Sequence, residues 1–450
     1  MTSTGRYGLF LDGDSKPVLN DPQSYGSNGY GYMGFSATSA QYAAGYTSLF
    51  SGALSTHPIY VEGGSIGSSA LWASGRVYHI RHADVSIGSF ATLTLSPETI
   101  IKFESGSLGI HVAGTLTADA TAGHEIVFTD YRDDTAGGDT NQDSAVSSPA
   151  AGSWKEIDIY GNAVVTLNHC IIRYTGSSGY GAVYKTGNSK LTLTNSVISD
   201  SISYGVQIGS SSGVSHLISG NSIVRHSFSG ISLDSVDGAI TISGNIIGST
   251  GQHGIVINNG GSVMTLAGNT IQNTGTLFYG IYLSGSSSPL LADAQTFGSN
   301  GKGPIGFDIQ ASGGTAAYDA LFPGVPVYVE ASTLSSGTLS WSSSRGYLVR
   351  GSVTTNSGTE LDITGGVVVK FEQHAGFASI GGAVKAAGTS NNKCCGSVYR
   401  TQKRCFNCAC ILVNRGARFM PNQYRMAKLA MLMLCISPVI VVGTMREVLL

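Results

Sequence analysis

The stretch Asp139-Thr-Asn141-Gln-Asp143 places an oxygen-bearing side chain at every second residue. Donors at that spacing can turn toward one hard cation, as the first half of an EF-hand loop does, and calcium is the ion such a set implies. The glycine expected next is Ser144, and no bidentate Glu closes the loop. The alternative is an acidic, solvated loop, running from Asp130 to Asp143, whose Asp and Asn side chains cap turns. A second set could do proton chemistry. Asp200, His226, Thr250 and Thr274 each lie five residues past a recurring Asn (Asn195, Asn221, Asn245 and Asn269). If those Asn stack, these four stack too, with Arg225 and Asp234 in the same coil and His253 one coil on. A carboxylate, a guanidinium and an imidazole on adjacent rungs could act as base and oxyanion stabiliser in a uronic acid lyase, or as the acid of a glycosidase. Acids are sparse on that face, and solvated outer residues are the plainer account. His169 and Cys170, flanked by Leu167 and Ile171, read as a packed pair in a strand rather than a Cys–His nucleophile.

What must position these residues is a repeat. The Asn frame recurs in steps of 26, 24 and 24 residues, as Thr-Asn195-Ser-Val, Gly-Asn221-Ser-Ile, Gly-Asn245-Ile-Ile and Gly-Asn269-Thr-Ile. Beside it runs a Gly frame: Gly181-Ala-Val-Tyr, Gly205-Val-Gln-Ile, Gly230-Ile-Ser-Leu, Gly254-Ile-Val-Ile and Gly280-Ile-Tyr-Leu. Two frames on one beat predict stacked coils of a solenoid. Short Val/Ile/Thr runs broken by Gly, Ser and Asn predict strands, with no helical periodicity between them. Stacked at one turn, the four Asn form a structural ladder, each amide bonding backbone and the next Asn.

These frames resemble the right-handed parallel β-helix, or pectin-lyase-like, superfamily over roughly residues 58 to 393. A closer likeness is to large secreted or surface proteins of bacteria, carried by Ile126-Val-Phe-Thr-Asp-Tyr-Arg-Asp-Asp134, Gly137-Gly-Asp-Thr-Asn141 and Gly152-Ser-Trp154-Lys-Glu-Ile157. The resemblance implies an all-β, right-handed parallel β-helix with coils of 24–26 residues. Its enzymes would show a dense Asp–Arg–Lys motif, which this sequence lacks.

A longer repeat overlies the short one. Pro58-Ile-Tyr-Val-Glu62 returns as Pro326-Val-Tyr-Val-Glu330, and Ile100-Ile-Lys-Phe-Glu104 as Val368-Val-Lys-Phe-Glu372, both 268 residues on. Gly8-Leu-Phe-Leu11, Pro17 and Phe35 return 272 residues on as Gly280-Ile-Tyr-Leu283, Pro289 and Phe307. Residues 1–57 therefore read as the end of a preceding module, 58–325 as a full module and 326–393 as the start of another. The chain reads as a piece of a tandem array.

From residue 394 the composition changes: six of the seven Cys lie in 394–450, with net charge +7 against −9 before it. An out-of-frame or disordered tail is expected there. Cys394, Cys395, Cys405, Cys408 and Cys410 could hold zinc but lack a His and a second spaced pair. The apolar run 429–443 would be a membrane anchor, though it falls short of the roughly 20 residues a span needs.

Only 12% of residues are charged and the net charge is −2. That balance argues against nucleic acid, which calls for a basic patch. The expected function is structural and adhesive: a secreted or bacterial-surface array holding a rigid Thr/Ser/Asn-rich face toward polysaccharide or cell-surface glycans. The alternative is a polysaccharide lyase or glycoside hydrolase of the same fold. A threonine array for ice or crystal binding would need Thr-x-Thr on consecutive coils, and Thr92-Leu-Thr94 and Thr192-Leu-Thr194 look too far apart in sequence to form one.

Overall fold

The computed structural model describes residues 6–19, 30–49, 58–211, 213–261 and 263–386, with the backbone of three further strands, Cys394–Val398, Arg404–Phe406 and Cys410–Leu412. It divides into two compact units, residues 1–329 and 330–450. The membrane-anchor expectation falls outside the described residues, as does Cys408 of the zinc expectation, whose Cys394, Cys395, Cys405 and Cys410 are described in backbone alone. Among the described residues no helix is long and apolar enough to cross a membrane.

The first unit is a right-handed parallel β-helix. The chain visits three sheets in turn, as in Val77–Ile80, Val85–Ile87 and Thr92–Leu95, and returns to the first sheet at Ile100–Phe103. The first sheet has 12 strands, from Tyr7–Leu11 to Thr296–Phe297, and the third has nine, from Ala70–Trp72 to Leu290–Leu291. Alternation makes the core: in Lys190–Thr194 only Leu191 and Leu193 are buried, as a period of two requires. In register, these inward residues become columns. Ile110, Ile157, Val183, Val206, Ile231, Ile255, Ile281 and Ile305 stack along the second sheet, all fully buried.

The Asn ladder is real but begins one residue later than its frame suggests. The backbone N–H of Asn221 donates to Asn245 Oδ1 at 2.9 Å, that of Asn245 to Asn269 Oδ1 at 3.0 Å, and that of Asn269 to Gln295 Oε1 at 3.1 Å. Each side-chain amide also donates downward to the next rung and to a carbonyl of the coil before, as Asn245 Nδ2 does to Asn269 Oδ1 and Ile218 O. Above Asn221 the rung is Ser196, whose N–H donates to Asn221 Oδ1 and whose Oγ accepts from Cys170 N–H. Asn195 is therefore not a rung. It is exposed, with φ of 49°, and its backbone bonds place it in line with Gly220 and Gly244, also left-handed. Asn tolerates that conformation at the turn, which is why it could stand for the glycine and mimic the frame.

The long repeat is a repeat of packing. Gly34 lies against the Tyr7 ring, where an added Cβ would come within 2.4 Å; Gly306 lies the same way against Tyr279, also at 2.4 Å. Tyr46 Oη donates to Pro17 O at 3.0 Å, and Tyr318 Oη to Pro289 O at 2.8 Å. The second unit carries the same devices. Trp341 stacks on Tyr347 at 4.2 Å as Trp72 stacks on Tyr78 at 4.6 Å, and Arg350–Glu372 at 2.9 Å matches Arg81–Glu104 at 3.2 Å. Within that unit Thr338–Trp341, Glu360–Ile363 and Ala383–Ala386 stack in parallel. The order changes at residue 394, where Cys394–Gly396 pairs antiparallel with Arg404–Phe406.

Candidate functional site

The five residues proposed for catalysis do not converge. Strand register puts Ser201, not Asp200, over His226 and Thr250, because counting from Asn195 carries its one-residue offset. Asp200 and Arg225 both take left-handed φ one residue before the ends of their strands, Val197–Ser201 and Ser222–His226. Their side chains close on each other in a bidentate pair of 2.7 and 2.8 Å. Partial burial works to raise the Asp200 pKa, but the Arg225 bonds outweigh it and hold the carboxyl below its usual range. His226 points into the core, with Nε2 3.2 Å from Ile198 O, and burial pushes its pKa down to about 4. His253 is walled by Phe278, Tyr279 and Tyr282, accepts from Tyr279 N–H at 3.0 Å, and is likewise driven by burial to about 4. Asp234 is exposed at the end of a second-sheet strand, accepting from Ser235 Oγ. One buried and one half-buried neutral imidazole and a closed ion pair offer no base beside an acid. The His169–Cys170 pair is similarly inert: burial pushes the Cys170 thiol up.

The acidic stretch is docked rather than loose. Residues 131–153 leave the coil after Ile126–Asp130 and fold over the outer face of the first sheet, where Tyr60, His79, Lys102 and Thr129 form one column. Lys102 is fully buried there, donating to Gly138 O and Thr140 Oγ1, both at 2.9 Å. Burial pushes its pKa down to about 8, against the pull of Asp133 and Asp134. Asp133, also buried, accepts from Thr129 Oγ1 and pairs with Arg173. Above this anchor Asp134, Asp139 and Asp143 bring carboxylate oxygens within 4.8 Å of one another. Asn141 donates to Asp143 Oδ2 at 2.8 Å, leaving its own Oδ1, like Asp134 Oδ1, buried without a hydrogen-bond partner. The structure thus gathers Asp139, Asn141 and Asp143 and adds Asp134, an all-oxygen donor set of the kind calcium takes.

Two surfaces escaped the sequence. On the second sheet His111 bridges coils, with Nε2 3.2 Å from Asp84 and Nδ1 3.0 Å from Asp158. Lys155 reaches Asp84 at 3.1 Å, and buried Glu156 accepts from Ser178 Oγ. The Asp158 bond raises the His111 pKa, and burial raises that of Glu156. The exposed Tyr180 stacks on Tyr184 at 4.3 Å beside this network. The signal lay in Ile110-His-Val112 and Ile157-Asp-Ile159, whose middle residues both point outward.

On the third sheet Thr94, Thr117, Thr166 and Thr192 fall in one register column, which continues through Leu217, Thr241 and Thr265. The expectation that Thr92-Leu-Thr94 and Thr192-Leu-Thr194 lie too far apart is overturned. The long excursion at 131–153 separates them in sequence, while only two strands stand between them in the sheet. Asn168, Thr194, Ser219 and Ser243 form a parallel row at the next outward position.

Residues 146–297 match a family model described as a right handed beta helix region. No curated protein and no solved structure matches the chain.

Proposed function

We propose that the chain is a non-catalytic scaffold segment, displayed outside the cell, that binds glycans through the outer face of its third sheet. The observation that carries this reading is the threonine column. Its six threonines make no side-chain hydrogen bond among the described residues, and no charge interrupts it. Each hydroxyl can donate and accept, and each methyl can pack on the apolar face of a sugar ring. Neighbouring rungs repeat at about 4.8 Å, comparable with the residue repeat of an extended polysaccharide. Val164, Lys190 and Leu217 break the Thr-x-Thr lattice at three coils, which disfavours a flat crystal or ice surface as partner. Calcium at Asp134, Asp139, Asn141 and Asp143 fits a structural ion that stiffens the docked stretch, remote in role from the glycan face.

The enzymatic reading, a polysaccharide lyase or glycoside hydrolase, has its best support on the second sheet, where the raised Glu156 sits two residues from Asp158. His111 and Ser178 already engage these carboxyls, so they serve better as coil-to-coil links. Retention of the full chain on immobilised polysaccharides tests the proposal. A Thr166→Lys/Thr192→Lys variant is expected to bind at least tenfold more weakly. Undiminished retention of that variant would remove the third sheet from the account.

A further inference from the structure

The long repeat does not return to the sheet on which it started. Tyr7–Leu11, Gly31–Phe35 and Ile59–Val61 stack in the first sheet. Their sequence counterparts Tyr279–Ser284, Gly303–Phe307 and the start of Val327–Leu334 stack in the second. The counterparts are secure, because the packing is copied with them. Tyr7 lies 6.0 Å from Tyr60 and Tyr279 lies 5.9 Å from Tyr328, at interplanar angles of 37° and 34°. Gly34 and Gly306 are each pressed against the same ring in their own copy. Along the first sheet, Thr270–Gln272 is ten strands beyond Tyr7–Leu11, and Tyr279–Ser284 follows it on the next sheet.

We infer that one module of this repeat is a screw operation of ten coils plus one third, so that equivalent surfaces of successive modules face successive sides of the β-helix. The extra third comes from the chain and not from a deformation. The coils keep their parallel register throughout residues 59–329, so the phase is set by how many strands the module contains. In a tandem array, the strands equivalent to one module's first sheet lie on the second side in the next module and on the third side in the one after, whatever side chains each copy carries outward. Three modules bring it back. Resting on the glycan-binding reading above, the consequence is that an array whose modules keep the threonine column engages ligands all around its axis. It would bridge separate polymers or surfaces instead of lying along one.

Disulfide traps in the full chain read the phase directly. Paired residues of adjacent strands stand about 4.8 Å apart, inside the roughly 4.4–6.8 Å that a disulfide spans. Val256 and Tyr282 are register partners on the second sheet, as are Asn258 and Ser284, and Tyr60 and His79 are partners on the first. The pairs Val256→Cys/Tyr282→Cys, Asn258→Cys/Ser284→Cys and Tyr60→Cys/His79→Cys are expected to link. Non-reducing peptide mapping identifies each bond even if one variant folds poorly. Gln272→Cys/Tyr282→Cys is expected to stay reduced. Linkage of Gln272→Cys/Tyr282→Cys, with Val256→Cys/Tyr282→Cys and Asn258→Cys/Ser284→Cys reduced, would mean a whole number of coils and overturn the inference. No ligand enters the experiment, so its failure is separate from failure of the glycan-binding reading.

Discussion

The two openings of the repeat, residues 58–125 and 326–386, share their interior and differ on their surface. Trp72 and Trp341, Tyr78 and Tyr347, and the Arg81–Glu104 and Arg350–Glu372 pairs occupy the same places. Outside, Thr92 and Thr94 of the third sheet are replaced by Glu360 and Asp362, and Thr117 by Lys385, which pairs with Glu360 at 2.6 Å. Lys102 and Lys370 are the sharpest contrast. Both occupy the same place in Ile-Lys-Phe-Glu and Val-Lys-Phe-Glu, yet Lys102 is sealed beneath residues 131–153 while Lys370 is exposed. Copying a module thus constrains what fills the coil and leaves each outer face free to diverge.

The shared interior gives the largest effects. Trp72→Ala and Trp341→Ala should each cost about 3–5 kcal/mol. Hydrogen exchange should place the two losses in different units, the first within residues 1–329 and the second within 330–386. Equal loosening of both units by either variant would show that they do not fold independently.

The Lys102–Lys370 contrast depends on the docking of residues 131–153. Asp133→Ala removes the buried partner of Arg173 and Thr129, a loss of about 3–5 kcal/mol where such a pair is broken. Lys102 should then react with an amine reagent nearly as fast as Lys370, whereas in the parent chain it should stay protected. Protection that survives the substitution would mean that Gly138 and Thr140 hold the stretch without Asp133.

The regular coils offer a paired test of their own. Asn245→Ala orphans the Asn221 N–H and takes one donor from the Ile218 carbonyl, and should cost about 1–3 kcal/mol, the range for one buried group left unsatisfied. Asn195→Ala, at an exposed turn, should stay within about 1 kcal/mol, mostly from its left-handed φ. Similar losses at both sites would restore Asn195 to the ladder.

Acidification separates the regions more gently. His216, His226 and His253 have pKa values pushed down to about 4 by burial. Their unfolded forms take up protons first, so stability falls as pH drops from about 6.5 toward 4, by at most about 1.4 kcal/mol per pH unit for each histidine. His111 is raised instead, chiefly by Asp158. Its contribution is complete below the unfolded value of about 6.5 and fades as pH rises through its folded one. Between pH 7 and 5, protection against hydrogen exchange, corrected for the intrinsic pH dependence of amide exchange, should therefore fall around residues 216–257 and rise around 84–112 and 157–159. A uniform change along the chain would contradict these assignments.

Most of the coil was readable from sequence, because a period of 24–26 residues forces strands into register wherever it runs unbroken. The one-residue slip at Asn195 arose where Asn and Gly, both able to turn left-handed, exchange places. From there it displaced Asp200 from His226. Surfaces assembled across the excursion at 131–153 were hidden, since Thr117 and Thr166, or His111 and Asp158, are neighbours only after that stretch is set aside. The calcium-type oxygens lay close in sequence and were readable for that reason. Asp134, reached only by folding the stretch back, was not.

The proposed role is to hold glycans without cutting them. Its most direct test is the length distribution of acidic and neutral polysaccharides after prolonged incubation with the full chain, with calcium and with chelator. The account predicts bound polymer of unchanged length in both conditions. Shortened polymer, with the shortening abolished by Glu156→Gln or Asp158→Asn, would contradict it and make the second sheet an active site.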